Sequence, residues 1–140
     1  MNQVPQWAES IISPLDQKLG LEITEMSPQR VVASMPVAGN EQPLGLLHGG
    51  ASAAMVETLG SFAAMAYGWP DRAGVGVDLN VTHLRSARSG RVTGTATAVH
   101  LGRTVVTYQV DIVDDEGRQT ATGRLTCQMV PLPPASRPTP

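Results

Sequence analysis

The stretch that decides the fold reads QPLGLLHGGASAAMVETLGS and spans residues 42–61. From residue 48 to residue 68 the chain is rich in Gly, Ala and Met and has no run of β-branched residues, which predicts one long helix. Glu57 is the only Asp, Glu, Lys or Arg between Glu41 and Asp71. Because the other positions of this helix carry no such charge, we expect it to be buried nearly all round.

Alternation of apolar and polar residues, which is typical of strands, flanks this helix on both sides. Before it, residues 21–37 alternate around a turn at Ser27 and Pro28, which predicts a hairpin. After it, four more segments alternate, and turn residues separate each from the next, which predicts an antiparallel meander of four strands. These segments are residues 75–81, 92–99, 105–113 and 120–130.

The two ends of the chain differ from this pattern. Residues 3–13 carry apolar side chains at helical spacing, which predicts an N-terminal helix lying on the domain, and Ser13 with Pro14 restarts a second short turn. Residues 131–140 contain five prolines, so we expect an extended or disordered tail. The order of elements predicts one α+β domain over residues 1–130, in which a curved antiparallel sheet wraps the long helix. The apolar positions of the N-terminal helix are Trp7, Ala8, Ile11, Ile12 and Leu15.

The composition excludes several classes of protein. A chain of 140 residues with 41% hydrophobic and 16% charged residues is typical of one ordinary folded domain. Its formal net charge of -2 provides no general attraction for nucleic acid or anionic membranes, and no stretch is apolar enough to span a bilayer. The opening residues MNQVPQWAES lack the basic start and apolar core of a signal peptide, so we expect a cytoplasmic protein. We expect no metal site, because Cys127 is the only cysteine and the three histidines do not follow zinc-ligand spacing.

Glu57 is the first candidate for chemistry. Burying an ionised carboxylate without a partner is costly, and no Lys or Arg lies near Glu57 in the sequence. Ser61 lies four residues further along on the same helical face, where its hydroxyl can reach the carboxylate or a water molecule bound to it. Glu57 is therefore either a general base or nucleophile, or a glutamate that faces solvent or bonds a polar group of the core.

The start of the long helix, at His48, Gly49 and Gly50, is the second candidate. Unpaired N–H groups and the helix dipole at such a position can stabilise a developing oxyanion, and glycines let a carbonyl approach the backbone closely. The same glycines would equally suit helix packing or a tight entry into the helix, and His48 would equally suit a cap.

The spacing of these two candidates bears on how subunits combine. Gly49 and Glu57 are eight residues apart, and a helix rises about 1.5 Å per residue, so their backbones lie about 12 Å apart. A carboxylate and an oxyanion donor must each come within about 3 Å of the reacting atoms. If both act on one substrate they must come from different subunits, and we therefore expect a homodimer with two shared sites.

Arginines form a third candidate. Residues 79–110 contain four arginines and no Asp or Glu, although the whole chain is acidic. Such a local basic patch could hold the phosphates of a nucleotide-like ligand, or it could consist of solvated strand ends. The four residues are Arg85, Arg88, Arg91 and Arg103.

Residues 42–61 resemble the hotdog-fold thioesterases, in particular the bacterial branch with the PaaI-type, 1,4-dihydroxy-2-naphthoyl-CoA and 4-hydroxybenzoyl-CoA enzymes. ASMPV at 33–37, NVTHLRSARSGRV at 80–92 and HLGR at 100–103 are similar to the same branch, so the resemblance covers roughly residues 20–130. It implies a hotdog fold and the hydrolysis of an acyl-CoA with an aromatic or medium-chain acyl group.

The resemblance implies a role for each catalytic candidate. Glu57 would be the nucleophile, or the general base that activates water, and Gly49 would donate its backbone N–H to the thioester carbonyl. Gln42 and His48 would orient the thioester and the attacking water. Ser61 would position a water molecule near the carboxylate.

The resemblance also implies where coenzyme A lies and how subunits assemble. CoA would run along strand ends and turns, with Arg85 and Arg103 making the main contacts. The sites would lie across a dimer interface, dimers would pair into a homotetramer, and no cofactor would take part. The residues that match the CoA region are Gly76, His83, Leu84, Arg85, Ser86, Arg88, His100, Gly102, Arg103 and Thr104.

Two other functions stay open at this point. A hotdog hydratase or dehydratase would use a histidine and an acidic residue for proton transfer, although the chain lacks the HFPG-like opening of the acyl-carrier-protein dehydratases. A non-catalytic acyl-CoA-binding module would not need Glu57, Ser61 and Gln42 together. The sequence also leaves open the acyl group, and whether Glu57 acts as nucleophile or base.

Overall fold

A computed structural model of the chain describes residues 3–11 and 13–134. Two short helices and a hairpin precede a long helix, and four strands follow it. This order confirms the predicted α+β layout. The helices are α1 (Gln6–Glu9), α2 (Pro14–Leu19) and α3 (Gly49–Gly68), and the strands are β1 (Glu22–Met26), β2 (Arg30–Pro36), β3 (Arg72–His83), β4 (Arg91–Leu101), β5 (Val105–Asp114) and β6 (Gln119–Pro131).

Helix α3 packs on the sheet through one face, where Met55 and Leu59 are fully buried. The sheet receives this face closely, because a Cβ atom added at Gly94 would lie only 2.8 Å from the sulfur of Met55. Nine of its twenty residues are buried and Gly50 is exposed, and the rest are half-buried, so burial nearly all round is only partly reached within one chain. No helix among the described residues is long and apolar enough to cross a membrane.

The sheet has six antiparallel strands in the order β1-β2-β4-β5-β6-β3. The predicted meander is therefore right for β4, β5 and β6 but wrong for β3, which pairs with β6 and not with β4. Residues 84–90 form the long connection from β3 to β4. Two N–H groups of this connection, those of Leu84 and Arg85, donate to the Thr120 carbonyl of β6. Alternation of apolar and polar residues identifies a strand but does not show which strand lies beside it. The turn residues before β4 mark the end of this connection and not a hairpin between β3 and β4.

Strand β3 is an exposed edge of the sheet. Its side chains Val75, Val77 and Leu79 are 51%, 60% and 41% exposed within the described chain. The single apolar face expected from alternation over residues 75–81 is wrong, because the register shifts between Gly76 and Asp78 and leaves Val75 and Leu79 on opposite faces of the sheet. The strand has twelve residues, and its outer side presents a long row of backbone N–H and C=O groups. An edge of this length and apolar character is suited to pairing with a strand of another molecule.

Helix α1 covers only Gln6–Glu9, so the helix predicted over residues 3–13 is wrong in its length, whereas the second short turn predicted at Ser13 and Pro14 is present as α2. Proline disfavours helical backbone in the residue before it, and Ser13, which precedes Pro14, is extended. Helix α2 then begins as the Ser-Pro pair predicted, with the Ser13 side chain accepting a hydrogen bond from the Asp16 N–H. Leu15 is 57% exposed and does not share a buried face.

A stacked pair of tryptophans fastens the N-terminal segment to the far end of α3. The rings of Trp7 and Trp69 are nearly parallel, with centroids 4.3 Å apart. Stacked aromatic pairs of this kind stabilise beyond the area they bury. Ile12 and residues 135–140, the latter predicted as extended or disordered, lie outside the described residues.

Gly123 holds strands β3 and β6 together at close range, and its replacement tests the packing. A Cβ atom at this position would lie 2.5 Å from the backbone oxygen of Asn80 and 3.2 Å from Val56, and backbone cannot move aside cheaply. We expect Gly123→Ala to lower the free energy of unfolding by about 1–3 kcal/mol, measured by urea denaturation. Thr97→Ala, at an exposed position of β4, is the matched control and should change the midpoint little. Equal midpoints for the two variants would contradict this packing.

Candidate active site

The first turn of α3 offers one backbone donor. The Gly50 N–H donates to Nδ1 of His48 at 2.7 Å, and the N–H groups of Ala51 and Ser52 both donate to the His48 carbonyl. Among the hydrogen bonds of the described residues, none uses the N–H of Gly49. That group therefore remains available to a ligand at the positive end of a twenty-residue helix.

His48 is the cap of α3, which was the structural alternative for this residue. Because its Nδ1 accepts a hydrogen bond, Nε2 is the ring nitrogen that can donate, and the residue as a whole is exposed. The backbone also fixes its place, since the His48 N–H donates to the Asn40 carbonyl at 2.8 Å. The side-chain amide of the buried Asn40 in turn holds the carbonyls of Leu19 and Pro36. Capping and an outward-facing donor are thus compatible in one residue.

A cavity of about 380 Å³ opens beside Gly49. The imidazole of His83 lies against this glycine, because a Cβ atom at Gly49 would be 2.9 Å from Nε2 of His83. The Gln42 side chain reaches the same cavity, and its carbonyl oxygen accepts a hydrogen bond from the Leu44 N–H, which orients its amide. The cavity therefore brings together residues that were predicted to be catalytic and residues that were predicted to bind CoA. The cavity is lined by Gln42, Leu46, Leu47, Gly49, Ser52, His83, Leu84, Arg85, Ser86, Ala87 and Thr120.

Glu57 lies further along α3, against strand β3. A Cβ atom at Gly76 would meet a Glu57 carboxylate oxygen, so the carboxylate can keep this position beside β3 because residue 76 has no side chain. The residue is half-buried, and none of the ion pairs between described residues involves it. Burial, and secondly the negative charge of Glu57, raise the pKa of the nearby Cys127 thiol to about 11. Among the described residues, the Glu57 carboxylate thus lies against β3 without a cation as its partner.

Ser61 is half-buried one turn beyond Glu57. No hydrogen bond within the described part of the chain joins the two side chains, so a water-mediated contact stays a prediction. Gly49 and Glu57 are both on α3, with helical backbone throughout, which keeps the separation of about 12 Å that the sequence predicted.

The residues predicted to hold CoA occupy opposite ends of the sheet. His83 pairs with Ala121 on β6, whereas Val105, beside the β4–β5 turn, pairs with Gln128 on the same strand. Seven residues of β6 separate these two positions, which is about 24 Å. Within one chain, no single CoA molecule's phosphates can contact both groups at once. One group is His83, Leu84, Arg85, Ser86 and Arg88, and the other is His100, Gly102, Arg103 and Thr104. Gly76, beside Glu57, is level with the second group, because Gly76 and Val106 both pair with Cys127.

The predicted basic patch is divided in three dimensions. Arg91 donates to the Ser34 hydroxyl and pairs with Glu22 at 3.5 Å, so it belongs to the sheet and not to a ligand site. Arg85 and Arg88 line a second crevice, of about 570 Å³. Acidic residues at the β5–β6 turn line this crevice too. They lie outside residues 79–110, the segment from which the basic patch was predicted. They are Asp114, Asp115 and Glu116.

Comparison with known proteins shows to which family the chain belongs. The family model described as "Thioesterase superfamily" matches residues 44–121, which include the start of α3, Glu57 and strands β3 to β5. The chain belongs to the thioesterase superfamily. Its long helix and six-stranded antiparallel sheet are the hotdog fold, as the resemblance implied.

Relatives within the superfamily agree on hydrolysis. The chain is 44% identical to the proofreading thioesterase EntH of Klebsiella pneumoniae over 108 residues, which cover 76% of this chain and 79% of that relative. A thioesterase structure from Haemophilus influenzae superposes with a TM-score of 0.85 at 35% identity, covering 94% of each chain. A variant of a Pseudomonas aeruginosa thioesterase superposes with a TM-score of 0.84 at 38% identity, covering 93% of this chain and 97% of that one. Together they support thioesterase activity.

Several residues near the candidate site escaped the sequence analysis. Ser52 and Thr120 line the cavity at Gly49, and Cys127 lies beside Glu57. Ser52 sits at helical spacing from Gly49 and was accessible to pattern reasoning. Thr120 and Cys127 were not, because their positions follow from the pairing of β6 with β3, which the alternation could not give.

Proposed function

We propose that this protein hydrolyses an acyl-CoA thioester to a free acid and CoA in the cytoplasm. The observation that carries the proposal is the pair of uncommitted groups on α3, the Gly49 N–H and the Glu57 carboxylate. One is a positive dipole end that can bind a carbonyl oxygen, and the other can attack a carbonyl carbon or take a proton from water. Membership of the superfamily supports thioester hydrolysis.

A homodimer through β3 would bring these two groups together. Gly49 lies beside His83 and Glu57 lies beside Gly76, and both His83 and Gly76 are on the exposed edge strand. If two copies of β3 pair antiparallel with Gly76 opposite His83 of the partner subunit, the two-fold axis passes near Leu79. Each Glu57 then faces the helix start of the other subunit, at both ends of the paired strands.

The same pairing would unite the two groups of residues assigned to CoA. The β4–β5 turn lies at the Arg72 end of β3, since the Arg103 carbonyl accepts a hydrogen bond from Arg72. Antiparallel pairing puts that end next to the His83 end of the other subunit. Arg103 from one subunit and Arg85 from the other would then contact the phosphates of one CoA molecule. Two such dimers would pair into a homotetramer, as the family resemblance implies.

The chemistry requires few groups. The thioester carbonyl accepts a hydrogen bond from the Gly49 N–H, and its carbon is attacked either by water that loses a proton to Glu57 or by Glu57 itself. The C–S bond then breaks, and the CoA thiolate leaves and takes up a proton. A thiolate leaves easily, which suits a site without an obvious general acid. In the second route, water hydrolyses the anhydride and regenerates Glu57.

The test is to follow free thiol and free acid from a panel of aromatic and straight-chain acyl-CoAs. Release of the two products in equal amounts supports hydrolysis. Binding of acyl-CoA without thiol release would identify a non-catalytic binding module, and addition or loss of water in the acyl chain without thiol release would identify a hydratase or dehydratase. Either of these results would overturn the proposal.

Leu79→Lys tests the role of the β3 edge. The substitution would place two lysines close together near the two-fold axis, where like charges on paired strands repel. We expect sedimentation velocity to report monomers and thiol release to fall in parallel. Gln29→Lys, on the exposed turn between β1 and β2, is the matched control and should remain dimeric and active. A fully active monomer would refute the shared site.

A further inference from the structure

A third cavity lies between α3 and the N-terminal segment, and its volume is about 270 Å³. Most of its wall is apolar, and the aromatic ring of Phe62 comes from α3 itself. Its other apolar residues come from the N-terminal segment and the start of the hairpin. They are Val4, Ala8, Ile11, Leu21 and Ile23.

Asp16 gives this apolar cavity a buried carboxylate. The residue is only 8% exposed, and one of its oxygens accepts a hydrogen bond from the Thr58 hydroxyl at 2.8 Å. Its other carboxylate oxygen accepts no hydrogen bond from any residue that the structure describes. In the described part of the chain, every fully enclosed side-chain oxygen or nitrogen has a partner. The second oxygen of Asp16 is therefore not fully enclosed, and Asp16 is one of the residues that line the cavity.

The charge of the cavity defines what it can accept. Glu9 is its second acidic residue, and no Lys or Arg is among the described residues that line it. A ligand group that donates a hydrogen bond would satisfy the free oxygen of Asp16, whereas a carboxylate would be repelled. An apolar body that ends in a neutral donor therefore fits this cavity best.

The cavity lies close to the proposed catalytic carboxylate. Thr58, which bonds Asp16, directly follows Glu57, and their Cα atoms are about 3.8 Å apart. Phe62 lies one helical turn beyond Thr58 on the same face of α3, and Ser61 lies between that face and Glu57. An acyl group that ran from Glu57 along α3 past Ser61 would reach the wall of the cavity at Phe62.

We infer that Asp16 selects the substrate by the far end of its acyl group. This inference rests on the proposed function and deepens it: the acyl group enters the cavity beneath the N-terminal segment, and a terminal hydroxyl donates to Asp16. Acyl groups that end in a carboxylate are rejected. Thr58 is a positioning residue, because its hydroxyl fixes the orientation of the Asp16 carboxylate.

The test uses three straight-chain acyl-CoAs of one length that end in a hydroxyl, a methyl or a carboxylate. We expect wild type to favour the hydroxyl over the methyl end by about tenfold in kcat/KM, as for a hydrogen bond to a charged group. Asp16→Val should invert that preference, and Asp16→Asn, which keeps the size of the side chain, should relieve the rejection of the carboxylate end. Thr58→Val should reduce the hydroxyl preference while Asp16 remains.

Ratios between substrates on one enzyme sample do not depend on the fraction folded, so a merely structural role for Asp16 would leave them unchanged. Lys18→Ala, at an exposed position of the same helix, is the control and should keep all three ratios. Hydrolysis of all three substrates with ratios that Asp16→Val and Asp16→Asn do not alter would overturn the inference but leave the proposed function standing. Absence of hydrolysis of any acyl-CoA by wild type would overturn both.

Discussion

Glu57→Gln is expected to lower kcat for acyl-CoA hydrolysis by about 10²–10⁴-fold, the range for loss of a positioned general base. The amide has nearly the same shape as the carboxylate, so it still fits against Gly76, but it can neither take a proton from water nor attack the thioester. KM should change little, because the residue acts on the reacting atoms and not on CoA. Thiol release under saturating substrate measures the effect.

Glu22→Gln is the matched control for this variant. Glu22 is an exposed glutamate of β1 whose contact with Arg91, at 3.5 Å, is a surface ion pair of small energetic value. Its replacement should leave kcat at the wild-type value and the unfolding midpoint nearly unchanged. Wild-type turnover by Glu57→Gln would remove Glu57 from the mechanism.

Gly49→Pro is expected to cost about 10²–10³-fold in kcat, as the loss of one oxyanion donor does elsewhere. Proline is well tolerated at the first position of a helix, and His48 before it already has the extended backbone that proline requires. The variant therefore deletes the N–H with little change of backbone. Gly49→Ala retains the N–H while its Cβ meets the His83 ring, as would the proline ring. The difference in kcat between Gly49→Pro and Gly49→Ala therefore measures the contribution of the N–H. Equal kcat values would contradict its role as the oxyanion donor.

Mixing two inactive variants tests whether the site is shared. A heterodimer of Glu57→Gln and Gly49→Pro subunits has one site with both residues intact and one with both replaced. Random exchange should restore about one quarter of the wild-type sites. If each site were built within one subunit, mixing would restore nothing. Thiol release before and after subunit exchange distinguishes the two arrangements.

The long helix and the hairpin were predictable because local composition alone specifies them. Gly, Ala and Met without β-branched residues favour a helix at residues 48–68, and alternation around Ser27 and Pro28 favours a hairpin. The placement of β3 was not predictable in this way. It depends on pairing with β6, about fifty residues further along the chain, and alternation is the same whichever strand lies alongside.

The candidate site was likewise predictable only in the part that local sequence specifies. Glu57 and Gly49 could be found because one is an isolated charge in an apolar helix and the other follows a histidine at the start of that helix. The contact of Gly76 with Glu57 and that of His83 with Gly49 required the coordinates, since both come from β3. The bond between Thr58 and Asp16 joins residues 42 positions apart, and no periodicity reports such a contact.

The pairing of β3 with β6 also bears on the order of events during synthesis. The ribosome delivers Gly49, Glu57 and Gly76 well before it delivers residues 119–131, and domains fold only as their contacts become available. Until β6 emerges, β3 has no neighbour in the sheet, so the wall that Gly76 provides for Glu57 has nothing to anchor it. A nascent chain without β6 thus contains every catalytic candidate but lacks the strand that anchors β3. We therefore expect it to bind no substrate until β6 has been synthesised.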